Sequence, residues 1–308
     1  MAGQRRVETV PMPTLGEGYR AALLGLASRR GRARSAASLP DVALRVENVP
    51  VDADADRRVR VEAHGRPGPF ASAEYLHVLA FPLAMSVLVR KDFPLPVLGL
   101  IHLVNSVEYA EAVPLGARVE ITAWAENLAP HHAGTTADLV VEIRHEGRLA
   151  FRGLSRNLAK GTFLKGKPER SSEDRGAFEG RTAQWRFGTD AGRRWAAVSG
   201  DVNPIHMSAA TARLLGMPRA IAHGMLVASR GLEAALPPGT EAGFRWDATF
   251  LTPVTLPGAV DVRIDVSGGE GGAPWPAPGA RVEYRGWNAK SGRPHIVGSV
   301  TPLEAGER

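Results

Sequence analysis

The sequence predicts an α+β fold built twice in one chain. Three observations carry this. An apolar helical stretch followed by alternating apolar and polar runs occupies the first half of the 308 residues. The same plan returns in the second half. A short internal match links them: E-A-V-P-L-G-A-R-V-E-I at 111–121 parallels P-V-T-L-P-G-A-V-D-V-R-I at 253–264, each a turn leading into a strand. A helix covered by an antiparallel sheet, given twice, is the architecture these patterns imply.

Residues 1–40 form a basic leader. Arg5, Arg6, Arg20, Arg29, Arg30, Arg32 and Arg34 face only Glu8 and Glu17, so most of the formal +6 resides here and the rest of the chain is nearly neutral. Tyr19–Arg30 has the spacing of a short amphipathic helix. A basic arm suits nucleic acid or anionic lipid, and an Arg-rich, acid-poor start also suits a mitochondrial presequence. No recognisable nucleic-acid module follows, so the expectation is a packed or mobile leader and no nucleic-acid partner.

Residues 41–164 begin the folded part. Residues 73–90 are apolar and helical, and strands are expected at 98–109, 118–127, 137–144 and 148–158, separated by P-L-G and H-E-G turns. Phe81, Leu83 and Met85 of the helix read as core. Residues 165–181 are charged, contain Gly and Pro and lack apolar periodicity, which marks a linker. Residues 182–308 then give a strand at 182–187, helices at 204–215 and 224–236, and strands at 244–250, 260–266, 280–288 and 295–301. The Gly/Pro-rich 268–279 is a long turn. Aligning the helix starts as 80–86 against 222–228 sets Phe81 opposite His223 and Pro82, which has no N–H to donate, opposite Gly224.

The chain has no cysteine. That excludes disulfides, thiolate catalysis and Cys-ligated metal sites, and it suits the cytoplasm. No apolar run reaches the length of a membrane span, and the first residues lack the apolar core of a secretory signal. The expected localisation is therefore cytoplasmic, with no membrane span.

Residues 199–207 read S-G-D-V-N-P-I-H-M and concentrate an Asp, an Asn and a His in a chain with nine histidines. Asn203 before Pro204 is a strong helix start, since Asn caps free N–H groups and Pro at the first position has none to orphan. Capping does not call for His206, however, so a well-capped helix and a catalytic loop both remain open. A second stretch, A-I-A-H-G-M-L-V-A-S at 220–229, opens a helix at Gly224, whose N–H and helix dipole suit a developing oxyanion. Together they offer an acid/base pair and an oxyanion donor, which fits proton removal alpha to a carbonyl.

W-A-A-V-S-G-D-V-N-P-I-H, followed by I-A-H-G-M and the P-V-T-L-P-G turn, resembles the MaoC-like family of (R)-specific enoyl-thioester hydratases and (3R)-hydroxyacyl-thioester dehydratases. The resemblance is close over 182–302. Over 41–160 it is looser, similar to the degenerate first half of two-domain members. It implies a double hot-dog fold: two antiparallel sheets, each wrapped around a central helix, as a pseudo-dimer within one chain. Carried over by position, Asp201 and His206 would act on water, Asn203 would cap the helix and orient the pair, and the Gly224 N–H would polarise the thioester carbonyl. Ser199, Gly200, His223 and Met225 would line the substrate site. The resemblance implies fatty-acid metabolism, an acyl-CoA or acyl-carrier-protein substrate, no cofactor and no metal, and it allows a homodimer of double hot-dog chains. The first half contains no D-x-N-P-x-H and is expected to be inactive. A hot-dog thioesterase and a non-catalytic acyl-thioester binding protein are the competing readings; the intact motif in one half alone weighs against both. Asp201, His206 and His223 also have the residue types of a metal site, and Arg193 and Arg194 either face solvent or reach a CoA phosphate.

Overall fold

The computed structural model describes residues 5–16, 38–97, 99–164, 166, 168 and 178–303. The expected helix at Tyr19–Arg30 and most of the 165–181 linker lie outside these. Within the leader, β1 (Arg6–Thr9) runs parallel to β2 (Val42–Pro50), so this part of it is packed.

The first half continues with α1 (Ala53–Ala63), α2 (Ala73–Leu88), β3 (Leu100–Tyr109), β4 (Arg118–His131), β5 (Gly134–His145) and β6 (Arg148–Lys160). The second half runs β7 (Ala183–Phe187), α3 (Ala191–Ser199), α4 (Pro204–Met207), α5 (Ala209–Leu214), α6 (Gly224–Ala235), β8 (Phe244–Phe250), β9 (Gly258–Ser267), β10 (Arg281–Asn288) and β11 (Pro294–Pro302). Strand order is β2-β4-β5-β6-β3 in the first half and β8-β11-β10-β9-β7 in the second. Read from the first strand of each half, the two orders are the same, so the internal repeat is a repeat of topology. This α+β plan is the hot-dog fold.

Every strand expected from alternation is present, most of them longer at their ends. The H-E-G turn is a two-residue hairpin: Glu146 and Gly147 both have positive φ, 51° and 80°, and His145 pairs with Arg148. In the second half the alternation sorts the faces. Trp246, Ala248, Val260, Val262, Val282, Tyr284, Ile296 and Val300 are buried. Their neighbours on the other face form an ionic ladder, with Arg263 and Arg285 donating to Asp265 at 2.8 and 2.9 Å and Gln184 donating to Asp261 at 2.7 Å. Helix α6 buries Leu226, Val227, Leu232 and Ala235. A Cβ on its Gly231 would come within 2.3 Å of the Tyr284 ring, so glycine lets the helix lie directly on the sheet.

By packing, the chain divides into two compact units. One holds the described residues up to Val51, His77–Asn105 and those from Gly116 to the 165–181 stretch. The other holds Asp52–Leu76, Ser106–Leu115 and the described residues from 178 onward. In the first unit Leu83 of α2 and Ile121 and Ile143 of the sheet are fully buried; Met85 is buried and Phe81 half-buried.

Three features differ from the sequence expectation. The helix over 204–215 breaks at Ser208, whose backbone is extended (φ −158°) and whose hydroxyl accepts the Thr211 N–H to start α5 afresh. The alignment of Pro82 with Gly224 is wrong: α2 begins at Ala73, so Ala73 corresponds to Gly224 and Ser72 to His223. Pro82 lies inside the helix, tolerated although it gives up one helical hydrogen bond, and Ser86 Oγ donates to its carbonyl at 3.1 Å. Helices α1 and α3 are additional to the sequence expectation. In α1, Asp52 Oδ1 caps Ala55 N–H at 2.7 Å, with Asp54 and Asp56 at the positive end of the dipole and Val59 and Ala63 buried. No helix among the described residues is long and apolar enough to cross a membrane.

Gly231→Ala should destabilise the protein by about 1–3 kcal/mol by overpacking against Tyr284, read as a lower urea midpoint at unchanged slope. An unchanged midpoint would mean that the helix does not rest on that ring.

Candidate active site

Residues 199–224 all belong to the second unit, and backbone geometry brings them together. Helix α3 ends at Gly200 in the left-handed conformation (φ 71°), its N–H on Ala196 O at 2.8 Å. Ser199 is buried; its hydroxyl donates to Trp195 O at 2.8 Å and accepts the Asp201 N–H at 3.2 Å, so it fixes the turn. Asp201 Oδ1 accepts the Asn203 N–H at 3.2 Å. Asn203 Oδ1 in turn accepts the Ile205 N–H at 3.4 Å, and Pro204 takes the first position of α4. Asn203 thus orients Asp201 through its backbone and caps α4 through its side chain. Helix α4 lies so close to α3 that a Cβ at Gly192 would sit 2.0 Å from His206 O.

His206 and His223 are both buried, their rings stacked with centroids 3.7 Å apart. Each has one nitrogen assigned by a backbone carbonyl. His206 Nδ1–H donates to Ile221 O at 2.9 Å, which leaves Nε2 unprotonated in the neutral ring. His223 Nε2–H donates to Asp201 O at 2.9 Å and lies 3.7 Å from Asp201 Oδ2. Burial lowers the pKa of His206, against the opposing pull of Asp201. Burial first, and the neighbouring His206 second, push His223 down to about 4. At neutral pH both imidazoles are uncharged.

Gly224 is the first residue of α6, directly after His223, so its N–H has no intrahelical acceptor. The Phe250 ring stands where a Gly224 side chain would be, 3.1 Å from an added Cβ. Met225 follows on the half-buried part of the turn. Asp201, His206 and His223 each offer a donor atom within 4.8 Å of the others. Two imidazoles and a carboxylate have the chemistry of a transition-metal set, although one nitrogen of each ring already bonds a carbonyl. Sequence reasoning missed the Ile221 carbonyl and Gly192. Of the two arginines left open, Arg194 pairs with Glu62 at 3.1 Å and with Asp190, whereas Arg193 is exposed and donates only to Met207 O among the described residues.

The chain as a whole is similar to known proteins. The chain is 30% identical over 269 residues to 3-hydroxyacyl-thioester dehydratase X of Mycobacterium tuberculosis, covering 86% of this chain and 91% of that one. The chain belongs to the MaoC-like dehydratase family. The model of the MaoC like domain matches residues 179–274, which include the whole Asp201–Gly224 constellation. Among solved structures, HtdX of Mycobacterium tuberculosis is similar at a TM-score of 0.71 and 27% identity, over 85% of this chain and all of that one. A MaoC-like dehydratase of Phytophthora capsici gives 0.65 at 15% identity, over 86% and 96% of the two chains, a likeness of fold alone.

Acid should weaken this MaoC-like chain through His223. Between pH 6.5 and about 4 the unfolded chain holds a proton on that ring which the native state refuses. Stability is therefore full above pH 6.5 and falls as pH drops through the window, by roughly 3 kcal/mol. Urea midpoints from pH 7 to 4 should fall more steeply for the wild type than for His223→Gln. Parallel curves would show that the ring titrates normally.

Proposed function

We propose that the chain interconverts trans-2-enoyl and (3R)-3-hydroxyacyl thioesters by addition and removal of water, using the constellation from Asp201 to Gly224 within a catalytic domain of residues 182–308. The observation that carries this reading is the His206 Nδ1–H bond to Ile221 O, which leaves Nε2 as a neutral base beside the Asp201 carboxylate. In hydration the two groups hold one water. As its oxygen bonds C3 of the enoyl chain, the pair takes the proton, and the π electrons move through C2 onto the thioester oxygen as an enolate. The Gly224 N–H, at the positive end of α6, donates to that oxygen, a contribution of roughly 3 kcal/mol to the transition state. Collapse of the enolate takes a proton onto C2 from the pair, and the charges balance. Dehydration runs the same steps backwards, with the pair removing the C2 proton and protonating the departing hydroxyl.

Residues 41–164 form the degenerate partner domain, without a D-x-N-P-x-H, with 1–40 as leader and 165–181 as linker. The similarity to 3-hydroxyacyl-thioester dehydratase X supports an acyl-thioester substrate.

With crotonyl-CoA the protein should form (R)-3-hydroxybutyryl-CoA, identified by chiral chromatography. Asp201→Asn and His206→Gln should each lower kcat at least 100-fold while leaving the thermal midpoint within a few degrees. An (S) product, release of free CoA thiol without hydration, or an active double variant would overturn the reading. Two imidazoles and a carboxylate acting as acid and base need no ion between them. Exhaustive dialysis against EDTA should therefore leave the rate unchanged, and a loss restored by a divalent cation would reassign the three side chains as ligands.

A further inference from the structure

Helix α5 is an excursion from the site. The chain leaves α4 at Ser208, two residues after His206, and returns at Ile221, whose carbonyl holds the His206 ring. Both ends are tied to the site: Thr211 Oγ1 donates to Pro204 O at 2.7 Å, and the Ile221 N–H donates to Ile205 O at 3.2 Å. The excursion's surface is unusual for an exposed tip. Leu214 is 86% exposed and Leu215 52%, although Ala212 beneath them is fully buried. Arg213 and Arg219 flank the two leucines and are exposed. Their guanidinium groups reach only backbone carbonyls, Pro218 O at 3.4 Å and Pro257 O at 3.2 Å. Residues 208–219 contain no carboxylate, and neither arginine forms an ion pair among the described residues. The charged pairs of the second sheet's outer face are balanced, so this tip differs from it in carrying uncompensated positive charge around apolar surface.

We propose that this tip docks an acidic protein domain that delivers the acyl thioester to the site on a flexible arm; the proposal rests on the thioester reading above. Two adjacent leucines in water are costly unless a partner covers them, and a carrier domain with acidic residues around an apolar contact complements both features. A nucleotide such as CoA would use the arginines through its phosphates but would leave the leucines exposed. The tip's two ties to the His206 turn place docking beside the chemistry without involving a catalytic group.

The test compares two substrates: a crotonyl group on a purified bacterial acyl-carrier protein, and crotonyl-CoA. Arg213→Glu/Arg219→Glu, and separately Leu214→Ala/Leu215→Ala, should raise KM for the carrier-bound substrate at least ten-fold at unchanged kcat. KM for crotonyl-CoA should stay within two-fold, and added salt should raise the wild-type KM for the carrier alone. A carrier KM unaffected by both variants would overturn the proposal. So would a rise for crotonyl-CoA equal to or greater than that for the carrier, which would make the arginines a phosphate site. Fluorescence anisotropy of labelled crotonyl-carrier protein separates docking from chemistry. If the wild type hydrates neither substrate, the proposed reaction fails. Carrier binding that the charge reversal abolishes would still support the docking surface, and binding equal in wild type and variant would overturn it.

Discussion

The site depends on one hydrogen bond, from His206 Nδ1–H to the Ile221 carbonyl. It selects the tautomer, and therefore which nitrogen of the neutral ring is left unprotonated. That carbonyl is held in turn by a short run of backbone bonds. The Ile221 N–H goes to Ile205 O, the Ala222 N–H to Val254 O at 2.8 Å, and the Leu256 N–H to Ala220 O at 2.8 Å. Three segments that meet nowhere in sequence are thereby fixed in register: the α4 turn, the approach to α6, and the stretch after β8. The absence of a side chain at Gly192 and the Asn203-Pro204 start both serve to bring α4 into that register.

Burial then sets the electrostatics. Burial lowers the pKa of both stacked imidazoles, and at His223 the neighbouring His206 lowers it further. The carboxylate beside them keeps about a quarter of its side chain exposed, with Asn203 N–H on one oxygen. A neutral base and a solvated carboxylate can divide proton handling between them, whereas two buried charges would repel or neutralise each other. The same burial makes the native state resist protonation in acid, so the arrangement that the proposed chemistry requires costs stability at low pH.

What the sequence makes legible follows from how local each requirement is. D-x-N-P-x-H states a cap, a turn and two side chains within six residues, and both the helix start and the convergence of Asp201 and His206 could be read from it. Alternation likewise identified the strands, because a sheet with one buried face enforces period two. Helix α1 escaped because its first turn, rich in aspartates, reads as a loop; those aspartates are the cap and the dipole partners. Pro82 misleads because α2 is apolar almost throughout and a proline suits a first helical position; the actual start is marked by Ser72, whose Oγ accepts the Tyr75 N–H at 3.2 Å. The Ile221 carbonyl is beyond sequence reading, since every residue has one and only the fold decides which faces a histidine.

The corrected register also explains why the two halves differ. Helix α1 follows β2 as α3 follows β7, and Ser72 stands before α2 where His223 stands before α6. A carboxylate bonded to that position in the first half is Asp56, which is 2% exposed. Its Oδ1 accepts the Ser72 N–H at 2.8 Å, and its Oδ2 pairs with Arg60 Nε at 2.6 Å. Arg60 reaches on to Phe70 O at 2.7 Å and so ties the loop before α2 to α1. A buried carboxylate saturated by an arginine and a backbone N–H has strong acceptor bonds to lose and little capacity to hold a reacting water. Asp56 therefore acts as a clamp. The first half uses its acidic residue to secure a helix start, whereas Asp201 keeps about a quarter of its side chain exposed beside two imidazoles, so under the proposed mechanism the halves differ in their acidic residue and not in the backbone N–H that begins the helix, which Ala73 also has.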